Sequence, residues 1–462
     1  MTLPTDFQNR MKELLPSNEY KDFEKSLVES ESTTSIRLNR QKINMFLDNS
    51  KLKTDGDTVG WCDDGIYLKE RPQFTLDPLL HSGAYYVQEA SSMFISHIIR
   101  SIVQDNRPLR CLDLCAAPGG KSTAAISSLP EGSEMVSNEI DRRRARILAE
   151  NITKWGNPNI TVTSNAPKDF KGLKHVFDII ITDVPCSGEG MFRKDEGAIS
   201  DWSIQKVNSC AALQHEIIDD IWDCLKPGGL LIYSTCTFNI EEDELMVEYI
   251  CNELGATAID IPIKSEWNIH KPLAGNNPCY RFMPHYTKGE GLFMAALRKD
   301  EGELFKAKSK SGKHSTSQKG SSAKPTKDIS SWVNIPVILK QSAEGIISAI
   351  PTAHKDLHDL IVNNGLYVLQ SGIELGTIKG KDIIPSHNLA MSTVLSDKIF
   401  PKYEITKESA LDYLRRLAFV LPNDAPTGFI ILTYNNVPLG FVKNLGNRCN
   451  NLYPQEWRIR NL

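Results

Sequence analysis

The sequence lacks three features that mark common classes of protein. Its ten cysteines include no Cys-x-x-Cys pair, which excludes a zinc knuckle or a thioredoxin-type couple. No stretch of about 18 apolar residues is present, which excludes a spanning helix. With 53 Lys and Arg against 57 Asp and Glu, the formal net charge is -4. Any nucleic-acid site must therefore come from a local cluster of basic residues.

The first ten residues also lack the apolar core of a secretory signal. We therefore expect a cytoplasmic protein whose cysteines are mostly reduced thiols. The composition, 40% hydrophobic and 24% charged, is typical of globular proteins and excludes a wholly disordered chain. At roughly 150 residues per domain, the length of 462 residues predicts about three compact units. We predict no metal site, no membrane partner and a monomer.

Residues 301–330 differ in composition from the rest of the chain. From Lys306 to Lys327 they are mostly Lys, Ser, Gly, His, Thr, Gln and Pro, with seven lysines. Such a stretch buries too little apolar surface to offset the entropy lost on ordering. The composition favours a flexible, solvated linker over a phosphate-binding segment.

Residues 101–300 alternate short apolar runs with helical patterns. Apolar residues lie at helical spacing at Leu148, Ile152 and Trp155, and again at 213, 217 and 221. Gly156 is predicted to end the first of these helices, and residues 226–229 the second. This alternation predicts an α/β domain with a parallel sheet covered on both faces. The predicted strands are 109–114, 134–138, 159–163, 177–182 and 229–234.

The two ends of the chain have other patterns. Residues 1–100 mix helical spacing with short strand-like pieces and predict a small α+β lobe. Residues 331–400 are predicted to form an intermediate domain, and 401–462 a β-rich one. Within the latter, the runs 428–433 and 437–442 are joined by Tyr-Asn-Asn, which predicts a hairpin.

A glycine-rich turn, at residues 113–122, follows the first predicted strand. A P-loop would need glycine where Cys115 stands, and a G-x-G-x-x-G fingerprint is also absent. What remains is a nucleoside ligand without a long phosphate chain. Glu139 follows the second strand, twenty residues after Gly119, where a carboxylate can accept from ribose hydroxyls. S-adenosylmethionine fits this pattern, although a glycine turn by itself also serves packing.

Two cysteines follow neighbouring predicted strands, Cys186 after the fourth and Cys236 after the fifth. In a doubly wound sheet the carboxyl ends of the strands form the ligand crevice. This position in polar loops favours reactive thiols over core filler. Cys210, Cys224 and Cys251, by contrast, lie in helical patterns and are predicted to be structural.

Two such thiols suit the methylation of a pyrimidine at carbon 5. A thiolate that adds to carbon 6 makes carbon 5 nucleophilic towards a methyl donor. Asp183 is placed to hold ring nitrogen 3, and the second cysteine is open to the role of base. A free thiol with a pKa of about 8.5 needs activation, to which Lys121 can contribute positive charge. Chemistry alone leaves open which cysteine attacks.

In combination, three motifs resemble the Nol/Nop/Sun family of RNA cytosine-C5 methyltransferases. They are residues 115–121, 183–188 and 234–237. Residues 85–93, 281–285 and 287–291 are similar to its bacterial RsmF-like ribosomal branch, and residues 433–440 and 450–454 to the PUA-like RNA-binding domain of that branch. The resemblance covers nearly all of the chain except 301–330. It implies a Rossmann-like, S-adenosylmethionine-dependent enzyme that forms 5-methylcytosine in small-subunit rRNA, with 1–100 and 401–462 as RNA-binding parts.

The resemblance also implies roles for single residues. Cys236 would be the nucleophile, and Cys186 would be needed to release the product. Asp183 would lie between cofactor and base, and Lys121 would also contact the base. The family aspartate near the adenine is replaced by Asn165, whose amide can still form hydrogen bonds. The implied cofactor-binding residues are Cys115, Ala116, Ala117, Pro118, Gly119, Gly120, Lys121, Glu139, Asn165 and Asp183.

Basic and aromatic residues near the motifs are candidates for RNA contact. Arg193 and Lys194 follow the Cys186 loop, and residues 142–144 are three arginines at a helix start, which suits the helix dipole poorly. Four further residues could stack bases, although a core or structural role is favoured for each of them taken singly: Tyr85, Tyr86, Phe192 and His285.

Two other functions fit part of the sequence. Asn165 in place of aspartate is compatible with a non-catalytic or weakly active RNA-binding ribosome assembly factor. A DNA cytosine methyltransferase would instead use Cys186 as the nucleophile. The family resemblance favours the RNA enzyme.

Overall fold

The computed structural model describes residues 2–46, 56–301 and 329–460. In chain order these residues form an N-terminal lobe, a central sheet domain and a C-terminal region with two further sheets. Nearly all of the predicted linker at 301–330 lies outside the described residues, so it stays a prediction.

The N-terminal lobe has the mixed α+β character that its sequence predicts. Its described strands form an antiparallel sheet in the order β2-β3-β1-β4. The strands are β1 (Thr34–Leu38), β2 (Thr58–Val59), β3 (Cys62–Leu68) and β4 (Tyr85–Val87). The helices are α1 (Thr5–Leu14), α2 (Ser17–Val28), α3 (Arg40–Phe46), α4 (Pro78–His81) and α5 (Phe94–Ile102).

The central domain is a mixed sheet of nine strands in the described residues. Its order along the main path is β10-β12-β9-β8-β5-β6-β7-β15, with β11 paired to β12. The parallel strands are β5 (Arg110–Asp113), β6 (Glu134–Asn138), β7 (Ile160–Thr163), β8 (Phe177–Asp183) and β9 (Leu225–Thr235). The antiparallel strands from the same segment are β10 (Ala256–Ala258), β11 (Tyr280–Phe282) and β12 (Leu292–Lys299).

Helices cover both faces of this sheet. They are α6 (Gly120–Ile126), α7 (Arg142–Trp155), α8 (Glu196–Asp201), α9 (Ile204–Trp222) and α10 (Glu244–Asn252). In β8, Ile179 and Ile181 pack into one hydrophobic core, and Ile180 between them packs into the other. A strand buried on both sides reads as a continuous apolar run, which is the pattern that predicted it. The sheet order reverses at β5, where doubly wound folds bind their ligands.

The predicted parallel strands and the predicted α/β fold class are confirmed. Helix α7 ends at Gly156, whose φ of 85° is left-handed, as predicted. The predicted end of the next helix is wrong. Helix α9 ends at Trp222, and residues 226–229 lie inside β9. The strand begins before these residues because the carbonyl of Cys224 already accepts a hydrogen bond from the backbone nitrogen of Phe177, the first residue of β8.

The C-terminal region contributes a strand to the central sheet. Strand β15 (Val368–Ser371) pairs antiparallel with β7 and extends the sheet at that edge. The predicted division between 101–300 and 331–400 therefore does not separate two sheets. The rest of this segment forms an antiparallel sheet of β13 (Val337–Gln341), β14 (Ile346–Pro351), β16 (Ile373–Lys379) and β17 (Asp382–Pro385), with α11 (Lys355–Asn363) and α12 (His387–Met391).

The last sheet contains the predicted hairpin. Its strands are β18 (Lys402–Glu404), β19 (Gly428–Tyr434), β20 (Val437–Asn444) and β21 (Cys449–Asn451), with helix α13 (Lys407–Leu414). Asn435 and Asn436 form the turn with φ values of 51° and 66°. A two-residue turn with both residues left-handed matches the twist of paired strands, and asparagine tolerates that conformation.

Within the described ranges, none of the helices combines the length and the apolar character needed to cross a membrane.

The three parts of the protein meet at Gly156. Its carbonyl accepts hydrogen bonds from the backbone nitrogen and hydroxyl of Thr393, at 3.0 and 3.1 Å. The buried ammonium of Lys42, from the N-terminal lobe, donates to the carbonyl of Lys154 at 2.6 Å. A Cβ atom at position 156 would lie 2.2 Å from the carbonyl oxygen of Met391. Only glycine therefore fits this junction.

We expect Gly156→Ala to destabilise the fold by roughly 2–4 kcal/mol, because left-handed strain and a backbone clash add together. The matched control is Gly365→Ala. Gly365 has a φ of 77°, and its added Cβ would meet no described atom within 4 Å. This variant should lose only about 1–2 kcal/mol. Urea unfolding measures both, and equal losses would contradict the junction described above.

Candidate active site

The two cysteines of the predicted crevice lie side by side. Strands β8 and β9 run parallel with Asp183 opposite Ser234, so that the loops after them start at the same level. The sulfur atoms of Cys186 and Cys236 are 3.1 Å apart, and both residues are half-buried free thiols. The backbone nitrogen of Cys236 also donates to the sulfur of Cys186 at 3.4 Å. The sheet thus brings together two residues that are 50 positions apart.

The environment of Cys186 keeps its proton in place. Its hydrogen bond with Cys236 and then burial raise the pKa of the Cys186 thiol well above its ordinary value. Because the largest cause is the neighbouring sulfur, the pKa of Cys186 depends on the state of Cys236.

Lys121 and Asp183 form an ion pair beside the sulfur atoms. The distance from Lys121 Nζ to Asp183 Oδ2 is 2.9 Å. Burial acts to lower the pKa of Lys121, but attraction first to Asp183 and then to Cys236 outweighs it, so that the pKa is raised. The ammonium therefore stays charged and favours a thiolate nearby. Ser234 Oγ donates to Asp183 Oδ1 at 2.9 Å and fixes this carboxylate, which remains about one third exposed.

A buried carboxylate, Glu242, holds the two cysteine loops together. It accepts from the backbone nitrogen of Ser187 at 3.0 Å and from the amide of Asn239 at 2.7 Å. Gln214 of helix α9 donates to it at 2.8 Å. One carboxylate thus connects the residue after Cys186 with a residue just after Cys236. No local pattern in the sequence marks Glu242, because its role depends on contacts with distant segments.

Glu189 connects the same loops from the other side. Its carboxylate accepts from the backbone nitrogens of Phe238 and Asn239, at 2.7 and 3.1 Å. The rings of Phe238 and Phe23 pack edge to face at 5.1 Å. Helix α2 of the N-terminal lobe therefore rests on the loop that carries Cys236.

Arg281 is a third buried support of the Cys236 loop. Its guanidinium pairs with Asp243 and Glu244 and donates to the carbonyl of Phe238 at 2.9 Å. Thr235, directly before Cys236, donates to Asp243. The sequence contained a signal for this group, since an arginine between apolar residues of a buried strand must find charged partners.

The predicted glycine turn lies between β5 and α6. Gly119 has a φ of 111°, which a residue with a side chain rarely adopts. Tyr86 and Asn151 both donate to the carbonyl of Pro118, at 3.2 and 2.8 Å, and fix the turn. Beneath the turn, Asp113 Oδ1 is buried without a hydrogen-bond partner among the described residues. The turn is therefore rigid and has an unsatisfied acceptor below it.

Glu139 follows β6 and is buried beside this turn. Its carboxylate accepts from the backbone nitrogen of Asp141 at 3.0 Å and pairs with Arg144 at 3.3 Å. Arg144 also donates to the carbonyl of Ala117 at 2.9 Å. Arg144, which the sequence suggested for RNA contact, thus joins the glycine turn to the carboxylate.

The hydrogen-bond acceptors around the glycine turn fit S-adenosylmethionine. Carboxylates at Glu139 and Asp183 flank the glycine turn, and the unsatisfied oxygen of Asp113 lies below it. Acceptors of this kind suit ribose hydroxyls and an ammonium group, whereas they repel a pyrophosphate. A nucleoside that carries positive charge matches this crevice better than a nucleotide does.

The side chain of Asn165 is engaged within the protein. Its Oδ1 accepts from the backbone nitrogen of Tyr367 at 2.8 Å, and its Nδ2 donates to the carbonyl of Tyr367 at 3.2 Å. The adenine contact that the sequence suggested for Asn165 stays a prediction, since both polar atoms already have partners in the C-terminal region.

Several candidates for RNA contact are engaged within the protein instead. The side chain of Arg193 is buried, pairs with Glu290 at 2.8 Å and donates to backbone carbonyls. Phe192 is fully buried in the core with α1 and α2, Tyr85 is buried, and the ring of His285 packs on Phe23. Sequence position near the motifs does not distinguish a rim residue from one beneath it.

Family models match three parts of the chain. Residues 102–298 match "16S rRNA methyltransferase RsmB/F", and residues 3–90 match "N-terminal domain of 16S rRNA methyltransferase RsmF". Residues 400–459 match "Methyltransferase RsmF PUA domain".

Curated relatives and solved structures agree with these matches. The chain is 29% identical over 477 residues to the ribosomal RNA small subunit methyltransferase F of Escherichia coli strain SE11, covering 98% of this chain and 96% of the relative. The structure of PH0851 has a TM-score of 0.56 at 24% identity and covers 64% of this chain and 66% of that one. NSun6 from Pyrococcus horikoshii with SFG has a TM-score of 0.53 at 20% identity, covering 64% and 98%. These structures share the fold.

The buried carboxyl of Asp113 should make stability depend on pH. Burial raises the pKa of Asp113 to about 7, against the hydrogen bond from Ser122. Its stabilising contribution is complete below the unfolded pKa of about 3.9 and is lost as pH rises towards 7. We expect Asp113→Asn to remove a decline of about 1.4 kcal/mol per pH unit between roughly pH 4.5 and 6.5. Urea unfolding of both proteins across this range tests it, and equal slopes would contradict it.

Proposed function

The chain belongs to the RsmF branch of the Nol/Nop/Sun RNA cytosine-C5 methyltransferases, and from this premise we propose how its residues perform the reaction. The protein is an S-adenosylmethionine-dependent methyltransferase that forms 5-methylcytosine in small-subunit rRNA. We propose that it does so through a covalent bond between Cys236 and carbon 6 of the cytosine.

The observation that supports this mechanism best is the contact between two thiols in the loops that follow β8 and β9. Cys186 and Cys236 lie 3.1 Å apart, next to the ion pair of Lys121 and Asp183. A structural role would not require two cysteines in polar loops held by buried carboxylates. The arrangement suits a reaction with one thiol for attack and one for release.

The first step is the attack of Cys236. Its thiol gives its proton to the carboxylate of Asp183, and the sulfur forms a bond to carbon 6 of cytosine, which makes carbon 5 nucleophilic. The charge of Lys121 stabilises the thiolate. Asp183 passes the proton to nitrogen 3, where negative charge develops, and takes it back for the sulfur when the product is released. Bound S-adenosylmethionine supplies the electrophilic methyl group.

The last step is the release of the product. Loss of the hydrogen on carbon 5 as a proton restores the ring double bond, and the carbon–sulfur bond breaks with its electron pair returning to Cys236. While Cys236 is bonded to the base, it no longer carries a thiol proton that it could donate to Cys186. We propose that Cys186, 3.1 Å from Cys236, takes part in the removal of the proton from carbon 5.

The remaining assignments follow the same premise. We propose that residues 115–121 and Glu139 hold the cofactor and that the PUA domain binds RNA. The substrate is rRNA of the small subunit or of its assembly particle. The protein is proposed to act as a monomer in the cytoplasm.

We expect Cys236→Ala to transfer no methyl group to RNA above background, because the attack on carbon 6 cannot occur. The measurement uses labelled S-adenosylmethionine with small-subunit rRNA, both naked and in subunits. Cys210→Ala, in helix α9, is the matched control and should retain wild-type transfer. Full transfer by Cys236→Ala would reject the mechanism, and no transfer by the wild type would favour an assembly factor.

Cys186→Ala should accumulate a covalent complex with RNA. Attack by Cys236 remains possible, whereas release is blocked, so a protein–RNA band should persist on a denaturing gel. The double variant Cys186→Ala/Cys236→Ala is the control and should give no band. A band that persists in the double variant, or a covalent complex in Cys236→Ala alone, would assign the attack to another residue.

A further inference from the structure

The C-terminal region contributes one residue, Tyr367, at the end of the sheet where the cofactor is proposed to bind. It directly precedes strand β15, whose Val368 pairs with Thr163 at the end of β7. Tyr367 therefore lies opposite Ser164, at the carboxyl end of a parallel strand. In doubly wound sheets these ends border the ligand site.

Three hydrogen bonds fix the backbone of Tyr367 there. Its carbonyl accepts from the backbone nitrogen of Ser164 at 3.1 Å and from Asn165 Nδ2 at 3.2 Å. Its nitrogen donates to Asn165 Oδ1 at 2.8 Å. None of these bonds involves the Tyr367 side chain, so the position of the residue does not depend on the ring.

The ring of Tyr367 is about half open to solvent and contacts the helix that follows Glu139. The residue is 49% exposed, and the guanidinium carbon of Arg142 lies 5.1 Å from the ring centre. Arg142 begins helix α7, directly after the loop of Glu139 and Ile140. Ile140 is 63% exposed, and its carbonyl is 3.5 Å from the hydroxyl of Ser164. The exposed residues Tyr367 and Ile140 thus both adjoin Ser164, next to Glu139, the carboxylate proposed to bind the ribose.

We propose that Tyr367 forms part of the adenine-binding surface of the cofactor site. A nucleoside whose ribose contacts Glu139 would place its base between Ile140 and the end of β7, within reach of this ring. The cation–π contact with Arg142 orients the ring, and Asn165 acts as a positioning residue that holds the peptide of Tyr367. Adenine is then bound by stacking, with the C-terminal region supplying one wall. This inference rests on the proposed function, since it takes S-adenosylmethionine as the ligand.

The test is the affinity for S-adenosylhomocysteine, measured by calorimetry on the full chain without RNA. Tyr367→Ala should bind about tenfold more weakly, because a base–aromatic stacking contact is lost. Tyr367→Phe keeps the ring and should remain within about twofold of the wild type. Tyr403→Ala, a half-buried tyrosine in β18, is the matched control and should bind like the wild type.

Each outcome has a separate meaning. Wild-type protein that does not bind S-adenosylhomocysteine would reject the proposed function itself. Wild-type binding together with unchanged affinity of Tyr367→Ala would overturn the role of the ring alone. Thermal melting accompanies each titration. If the alanine variant melts early, Tyr367→Leu carries the same test, since it keeps apolar volume but cannot stack, and wild-type affinity of that variant would equally overturn the proposal.

Discussion

The parallel pairing of β8 with β9 is the interaction on which the site depends. Because Asp183 lies opposite Ser234, the next residues of both strands enter the crevice together, and the sulfur atoms of Cys186 and Cys236 come into contact. A shift of one residue in this register would turn one thiol towards the opposite face of the sheet. The apolar runs of both strands fix the register, because each strand is buried on both sides.

Three buried charged side chains support the loops that carry Cys186 and Cys236. Glu189, Glu242 and Arg281 lie out of contact with water around the cysteine loops, where an unpaired charge is strongly unfavourable. Each is satisfied by backbone nitrogens, amides or an opposite charge, and each bond ends on a loop that carries a cysteine. The network therefore holds in place polar loops that packing alone would leave free to move.

The C-terminal region is joined to the catalytic sheet over an extended contact. Strand β15 extends the sheet beside β7, and Thr393 bonds to Gly156 at the end of helix α7. Tyr367 and Asn165 are 202 residues apart and share two hydrogen bonds. The C-terminal region, of which residues 400–459 match a PUA domain, is thus joined directly to the sheet that carries the two cysteines, which provides a physical route for coupling between these parts of the protein.

The sequence by itself determined the parallel strands, the hairpin, the glycine turn and the positions of Cys186 and Cys236 at strand ends. Each of these is recorded locally, in apolar runs, turn residues or the step from strand to loop. Only the tertiary structure decided that Glu242 meets Ser187 beside Cys186, that the side chain of Arg193 is buried with Glu290 and that Asn165 bonds to Tyr367. The two members of each pair are separated along the chain by tens to hundreds of residues, and no local pattern in the sequence indicates which distant residues will meet.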